Sequence, residues 1–445
     1  MEKFLKLAEK NGCNFVELKE SNSENNTICL EDREVKELSS ITSSQFSVRV
    51  LYKNKIGFAS SNKNNFKELI NRAIKTTKSN EQEFNFDFKP YKNKIKTKLK
   101  IDPNNISMEE KKNRLISLIK LKKHGIQSLN LRYMDSIRRY KIINSLGTDL
   151  EFNDVMSGFL ASAFAKKNDR IEQAWEVEKN HFGYEIMNNA ENIVMKAMRI
   201  SIDLLNAKIA RGGDFPVIID QKLGGVFTHE AVGHACEADS ILQRASILYN
   251  KKNARLGSDI LNISDDGSIL GNGFIPFDDD GVKSQKNKLI EDGILINFLH
   301  SFETASIMKE KLTGNGRAQD LSKRVIPRMT NTFTENGNSS FEEMLKEIKN
   351  GYYLKDSAGG EVNPTTGEFI FNSQFGYKIK NGELKHMVKK ASLMGMILDI
   401  LPRIMLIAKD LRLSSGNCGK SGQTINVCTG SPHILIEKAK IGGKI

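Results

Sequence analysis

The order of apolar and polar positions changes period several times along the chain, and the changes divide it into helical and extended segments. Residues 4–11 carry apolar positions at helical spacing and stop at Gly12. Four strand-like runs follow at residues 14–20, 27–32, 34–41 and 46–52, and Lys53-Asn54-Lys55 turns into a fifth at 56–60. An amphipathic helix over residues 65–78 puts Phe66, Leu69, Ile70 and Ala73 on one face. Residues 80–105 are mostly polar, contain Pro90 and Pro103, and read as a linker.

A second unit opens at Ser107-Met108-Glu109-Glu110, which has the form of a capping box, and its helix is expected to run to about residue 124 before Gly125. Strand-like runs span residues 128–165, broken by the turn signal Ser145-Leu146-Gly147-Thr148-Asp149, and a long helix is expected over 184–207. Both units read helix, antiparallel strands, helix, without a repeat at the level of residues. After Arg211-Gly212-Gly213-Asp214 the apolar runs shorten and glycine becomes more frequent. Residues 215–219 look like a buried strand, and Leu223-Gly224-Gly225-Val226-Phe227 leads into a helix bearing His229. From about residue 260 the pattern is of short strands with turns at Asp265-Asp266-Gly267 and Asn381-Gly382, interrupted by helices at 341–349 and 393–400. The expected fold class is α+β. Helix/antiparallel-strand units occupy residues 1–79 and 106–210, and a β-rich C-terminal domain over 211–445 forms a strongly bent sheet or an open barrel.

Composition narrows the class of protein. Of the 445 residues 39% are apolar and 27% charged, which excludes a disordered or low-complexity chain. The net charge of +13 invites a nucleic-acid or membrane-surface partner. The lysines are dispersed, however, and the densest basic stretch, residues 89–100, has only Tyr91 to stack on a base, so the charge reads as solvated surface and nucleic acid is not expected. The first eight residues are charged throughout and lack the apolar core of a secretory signal. The longest largely apolar run, 391–408, is interrupted by Asp399, Pro402 and Arg403 and is too polar for a bilayer span. Five cysteines, an odd number, suit free thiols in a reducing compartment, and a cytoplasmic location is expected.

The candidate chemistry lies in Thr228-His229-Glu230-Ala231-Val232-Gly233-His234-Ala235-Cys236-Glu237-Ala238-Asp239. Neutral imidazoles bind zinc, and a carboxylate directly after the first can take a proton from water. In the familiar H-E-x-x-H motif the histidines share a helix face. Here they stand one residue further apart, which on a regular helix separates them by about 140°. Both can reach one ion only if the backbone leaves the α-helix between them; a single π-type turn would do this, and Gly233 makes the distortion less costly. A third ligand must come from elsewhere. Cys418, set among glycines in Ser415-Gly416-Asn417-Cys418-Gly419-Lys420, is the first candidate; Cys236 is the local competitor, and Glu237 or Asp239 could ligate or orient the histidines. Gly419-Lys420-Ser421 ends like a phosphate-binding loop, but Ser414 stands where that motif needs glycine. A cysteine nucleophile with a histidine base would leave Glu230 unexplained.

On these residues the chain resembles the TldD/PmbA family, in its TldD-like, metal-binding branch, over nearly its whole length. The resemblance rests on His229-Glu230-Ala231-Val232-Gly233-His234 with Glu237-Ala238-Asp239, on Gly314-Asn315-Gly316-Arg317, on Pro327-Arg328-Met329-Thr330-Asn331-Thr332, and on Cys418-Gly419-Lys420. It implies a zinc-dependent protease of the H-E-x-x-x-H type with one zinc per chain. His229, His234 and Cys418 would be the ligands and Glu230 the general base. It further implies unfolded proteins or peptides as substrates, leader-peptide trimming among the roles, and a dimer with a PmbA-like subunit lacking the motif, or a homodimer. Cys236 and Cys428 stand where the family commonly has other residues. The family's association with gyrase, together with the positive charge, supports an alternative: a regulatory protein binding nucleic acid or a topoisomerase, with a structural zinc.

Overall fold

In the first half of the chain, backbone pairing carries strands through stretches whose side chains are almost all polar. The computed structural model, which describes residues 1–77 and 90–443, opens with helix α1 (Glu2–Lys10) and a hairpin of two 19-residue strands, β1 (Cys13–Glu31) and β2 (Glu34–Tyr52). The breaks expected after residues 20 and 41 do not occur. Ser21 to Asn26 pair with β2 on one side and with a later strand, β5 (Ile126–Asn144), on the other. Ladder bonds on both sides satisfy the backbone whatever the side chains are.

Strand β3 (Lys55–Ser61) and helix α2 (Phe66–Thr76) follow, and the predicted face Phe66, Leu69, Ile70 and Ala73 is buried. The end expected for this helix, Lys78, and linker residues 80–89 lie outside the described residues. The rest of the connector is more ordered than its polarity suggests. Lys92–Lys96 forms strand β4, parallel to β6 (Asp149–Lys167), because Tyr91 and Ile95 pack against Tyr140, Ile142, Leu150 and Phe152.

Helix α3 (Met108–Ile119) carries the capping box read from its first residues. It stops before residue 124 because the amides of Leu121 and Lys122 turn back to Leu118 and Ile119 in tight three-residue loops. Strand β7 (Arg170–Asn180) lies where the pattern predicts no strand; its alternation is polar, with only Ala174 and Glu176 buried. The expected long helix is a 3₁₀ turn, Tyr184–Asn189, running into α4 (Ala190–Asn206). The first seven strands form one sheet in the order β3-β2-β1-β5-β6, with β4 and β7 both on β6. The β1–β5 pairing joins the first two helix–strand units edge to edge.

The β-rich region holds two larger sheets. In one, Gly213–Ile219 lies between Asn350–Val362 and Ile434–Gly442, and the sheet continues through Ser392–Met396 to Glu368–Lys380. Asn350–Val362 also pairs with Glu368–Lys380, so the curled sheet closes into a barrel rather than staying open and two edges disappear. The helix expected at 393–400 is instead the strand Ser392–Met396 and a single turn, Ile397–Ile400, because partners on both sides hold residues 392–394 extended. The helix expected at 341–349 is present as Phe341–Glu347. The other sheet runs Ile294–Leu295, Lys286–Glu291, Ile263–Asp266, Asn331–Thr334, Gln423–Ser431, Arg412–Lys420, with the last at an edge. All five cysteines are free. Among the described residues no helix is long and apolar enough to cross a membrane.

Candidate metal centre

Helix α5 (Gln221–Thr228) begins at Asp220, whose carboxylate accepts the Leu223 amide at 3.0 Å, and lies directly on the strand Gln423–Ser431. Two glycines permit the approach. A Cβ on Gly225 would lie 2.9 Å from the Gly430 nitrogen, and one on Gly224 2.7 Å from Ser431 Oγ. At His229–Gly233 the helix widens into one π turn, with the His234 amide bonding to the His229 carbonyl. This is the departure that the five-residue spacing required. It brings the two imidazoles to 5.1 Å between centroids, nearly perpendicular at 85°. Gly233 is needed for packing as well as conformation, since a Cβ there would sit 1.9 Å from Met329 Sδ.

The strand paired with Gln423–Ser431 supplies the third group. Cys418, opposite Ile425 in the ladder, places Sγ 3.3 Å from His234 Nε2. One ligand atom each from His229, His234 and Cys418 fall within 4.8 Å of one another. His229 and Cys418 are buried, and His229 Nδ1 has no hydrogen-bond partner among the described residues. His234 Nδ1 pairs with Glu237 Oε2 at 2.9 Å, which leaves Nε2 for the cluster.

The charges suit a cation. Burial raises the Cys418 thiol, but the two imidazoles outweigh it and bring the group down to about 5, so the sulfur is a thiolate at neutral pH. Burial also works against a charged His234, but Glu237 and Cys418 raise it well above the ordinary imidazole range. Burial opposes ionisation of Glu237 too; His234 and Lys420 prevail and bring it down to about 2. A cation bound here would displace a proton from the Cys418–His234 pair.

Glu230 stands apart from the ligand atoms. Its Oε2 is 3.8 Å from His234 Nε2 and its side chain is 25% exposed, at the wall of a cleft of about 750 Å³. The same cleft is lined by Val226 and His229 from one side of the sheet, Trp175 and Lys179 of β7 from the other, and Ser414 and Gly416 of the edge strand between them.

The competitors fall away on position. Cys236 is fully buried outside the cluster, and burial pushes its thiol far up. Glu237 acts on the outer nitrogen of His234, and Asp239 accepts from Lys420 at 2.6 Å. Cys428 accepts the Asn272 amide at 3.0 Å. The stretch that ends like a phosphate loop is a hairpin turn, Lys420 pairing with Gln423. One organising group escaped the sequence reading. Asp265, wholly buried, accepts from Asn315 at 2.7 Å, the Thr330 amide at 2.8 Å and Thr332 at 2.7 Å, so two of the motif segments are scaffold around one carboxylate. The turn signal Asp265-Asp266-Gly267 concealed it. Asn315 is therefore a packing residue, and Arg317 caps the carbonyls of Met329 and Asn426 at 2.6 and 2.9 Å.

Comparison with known proteins identifies the family. Models of the PmbA/TldA metallopeptidase match in three pieces: domain 1 over residues 16–77, the central domain over 101–205 and the C-terminal domain over 212–443. A metalloprotease of Methanocaldococcus jannaschii is 40% identical over 441 residues, covering 97% of both chains. A zinc metalloprotease TldD homolog of Saccharolobus solfataricus is 30% identical over 453 residues, 100% of each. Among solved structures, TldE from Thermococcus kodakarensis matches with a TM-score of 0.79 over 100% of both chains. A candidate modulator of a DNA gyrase from Thermotoga maritima matches with 0.81 over 99% of both. Each is 22% identical, and those two likenesses are of fold alone. The chain belongs to the TldD/PmbA metallopeptidase family.

Proposed function

We propose that this protein is a zinc-dependent peptidase of the H-E-x-x-x-H type that cleaves unfolded proteins or peptides, with His229, His234 and Cys418 as ligands of one zinc and Glu230 as general base. The observation that carries the reading is the meeting of two imidazoles and a thiolate within 4.8 Å, with a more exposed carboxylate beside them at a cleft. The donor set is of the kind zinc prefers, and three protein ligands leave the open position of a catalytic site. Zinc held there would supply Lewis acidity toward a carbonyl and lower the pKa of water. Glu230 would take the proton of the attacking water and pass it to the leaving amine. Glu237, 2.9 Å from His234 Nδ1, would orient the ring so that Nε2 faces the metal.

The cleft suits an extended substrate. The strand Arg412–Lys420 is an edge, and the cleft wraps it from one face of the sheet to the other. A peptide added as a further strand would be held by main-chain bonds, with little demand on sequence. That mode admits unfolded chains and leader peptides and excludes folded proteins. Five free thiols support a cytoplasmic setting, and a PmbA-like subunit or a second copy would complete a dimer. The rival reading, a regulatory protein for nucleic acid or a topoisomerase, calls for a closed structural zinc with four ligands, whereas this cluster has three and opens beside Glu230.

The test is zinc content and peptide cleavage in the wild type, His234→Ala, Cys418→Ser and Glu230→Gln. About one zinc per chain is expected in the wild type and in Glu230→Gln, with loss in the other two and cleavage confined to the wild type. A wild type that takes up no zinc on reconstitution sinks the reading; zinc retained in Cys418→Ser removes the thiolate from it.

A further inference from the structure

Arg328 heads the fully buried side chains of the described residues, at 0% exposed. A guanidinium taken out of water is costly unless its donors are used, so their destinations are informative. Nη2 donates to the Cys418 carbonyl at 2.7 Å and Nη1 to the Gln423 carbonyl at 3.4 Å, on the two arms of the hairpin that carries the thiol. Nε lies 3.8 Å from Glu237 Oε1. The other oxygen of that carboxylate is hydrogen-bonded to His234 Nδ1 at 2.9 Å and forms an ion pair with Lys420 Nζ at 3.1 Å. Arg328 is itself held by its backbone: its amide donates to the Asn315 carbonyl at 2.9 Å, and its carbonyl accepts from Asn315 Nδ2 at 3.1 Å.

These contacts join parts of the site that belong to different elements. The thiol sits on an edge strand, paired on one side, and the imidazoles sit on a π turn. A strand edge frays more readily than a strand paired on both sides, and a shift of Cys418 would open the 3.3 Å approach of its sulfur to His234. We propose that Arg328 is a positioning residue for the metal site, tying the backbone of the Cys418 hairpin to the Glu237 carboxylate behind His234 so that thiolate and imidazole are presented at one separation. The inference rests on reading His229, His234 and Cys418 as the metal ligands. Arginine suits the task because its planar fork donates to two carbonyls in fixed directions while its charge stays within ion-pair distance of Glu237, where a lysine ammonium would serve as a point charge.

The experiment uses the full-length chain and cobalt(II) alone as probe, because a cobalt–thiolate bond gives a charge-transfer absorption that reports on Cys418. Wild type, Arg328→Lys and Arg328→Met are titrated with cobalt, and each metal-free chain is melted. The expected result is a band in the wild type, with roughly 10–100-fold weaker cobalt binding and a shifted or weakened band in both variants. A folded variant with wild-type affinity and band overturns the proposal, even if its melting temperature has dropped, since that is the signature of packing alone. A wild type without the thiolate band overturns the underlying metal-site reading, and the proposal with it. Should Arg328→Met fail to fold, Arg328→Lys, which keeps the buried charge near Glu237, carries the same readouts.

Discussion

Glu230 and Glu237 both approach His234, yet their surroundings assign them different work. Glu237 is buried and bonded to the outer imidazole nitrogen; Glu230 is partly exposed on the side of Cys418 and the cleft. Glu230→Gln should therefore lower the cleavage rate by about 10²–10⁴-fold with zinc retained, while Glu237→Gln should weaken zinc itself by roughly 10–100-fold. Steady-state kinetics beside a zinc titration separates the two. The sequence could rank the histidine–glutamate pair because adjacency and spacing are local, but it left Cys418, Cys236, Glu237 and Asp239 competing, since only the fold brings position 418 to position 234. A buried histidine elsewhere supplies a pH prediction. His300 is 1% exposed, and burial pushes it down to about 4 from an ordinary value of 6.5. The unfolded chain then binds a proton that the folded chain refuses between those values. Stability is full above about pH 6.5 and declines toward pH 4, by up to about 3 kcal/mol from this group. Urea unfolding of wild type and His300→Asn at pH 7 and pH 5 should show a shallower decline in the variant; equal slopes would remove His300 from the account.

At the scale of elements, the legible features were those set by neighbours in sequence. The buried face of α2, the capping box of α3 and the need for a break in the helix between the histidines all follow from local spacing. What was not legible depended on partners far along the chain. Ser21 to Asn26 are extended because strands lie on both sides of them, and residues 392–394 are extended for the same reason despite a helical pattern. The π turn is the element on which the proposed metal site depends most directly. Gly233 lets it lie against Met329, and a methyl there meets Met329 Sδ at 1.9 Å. Gly233→Ala should cost about 1–3 kcal/mol as overpacking and displace the histidines enough to lower zinc content. Adding Met329→Ala should restore zinc by opening space. If the double variant remains as zinc-poor as the single one, the turn fails for a reason other than this contact.

For the whole molecule, the N-terminal sheet and the β-rich region are tied by buried charge as well as apolar packing. Arg49 on β2 pairs with Glu17 on β1 at 3.1 Å and with Asp280 of the β-rich region, and Tyr140 on β5 donates to Asp279 at 2.7 Å. On the cleft side, Lys222 of α5 reaches Glu176 of β7 at 2.7 Å, and Lys179 of β7 reaches Asn426 at 2.7 Å. The cleft beside Glu230 therefore has one wall from each sheet, and its width depends on how these contacts hold them. Arg49 is 5% exposed, and both its acidic partners are buried, so Arg49→Met leaves two carboxylates in a poorly hydrated place. Glu17 keeps Lys19 at 2.8 Å and Asp280 keeps the Phe302 amide at 2.6 Å, which softens the loss without cancelling it. The expected cost is about 3–5 kcal/mol, read from chemical denaturation. An exposed pair is the control: Arg255 and Asp259 are 52% and 84% exposed in their side chains, and Arg255→Ala should cost under about 1 kcal/mol. Equal effects of the two substitutions would mean that the sheets are held by apolar contact, with the buried charges contributing little to the docking that shapes the cleft.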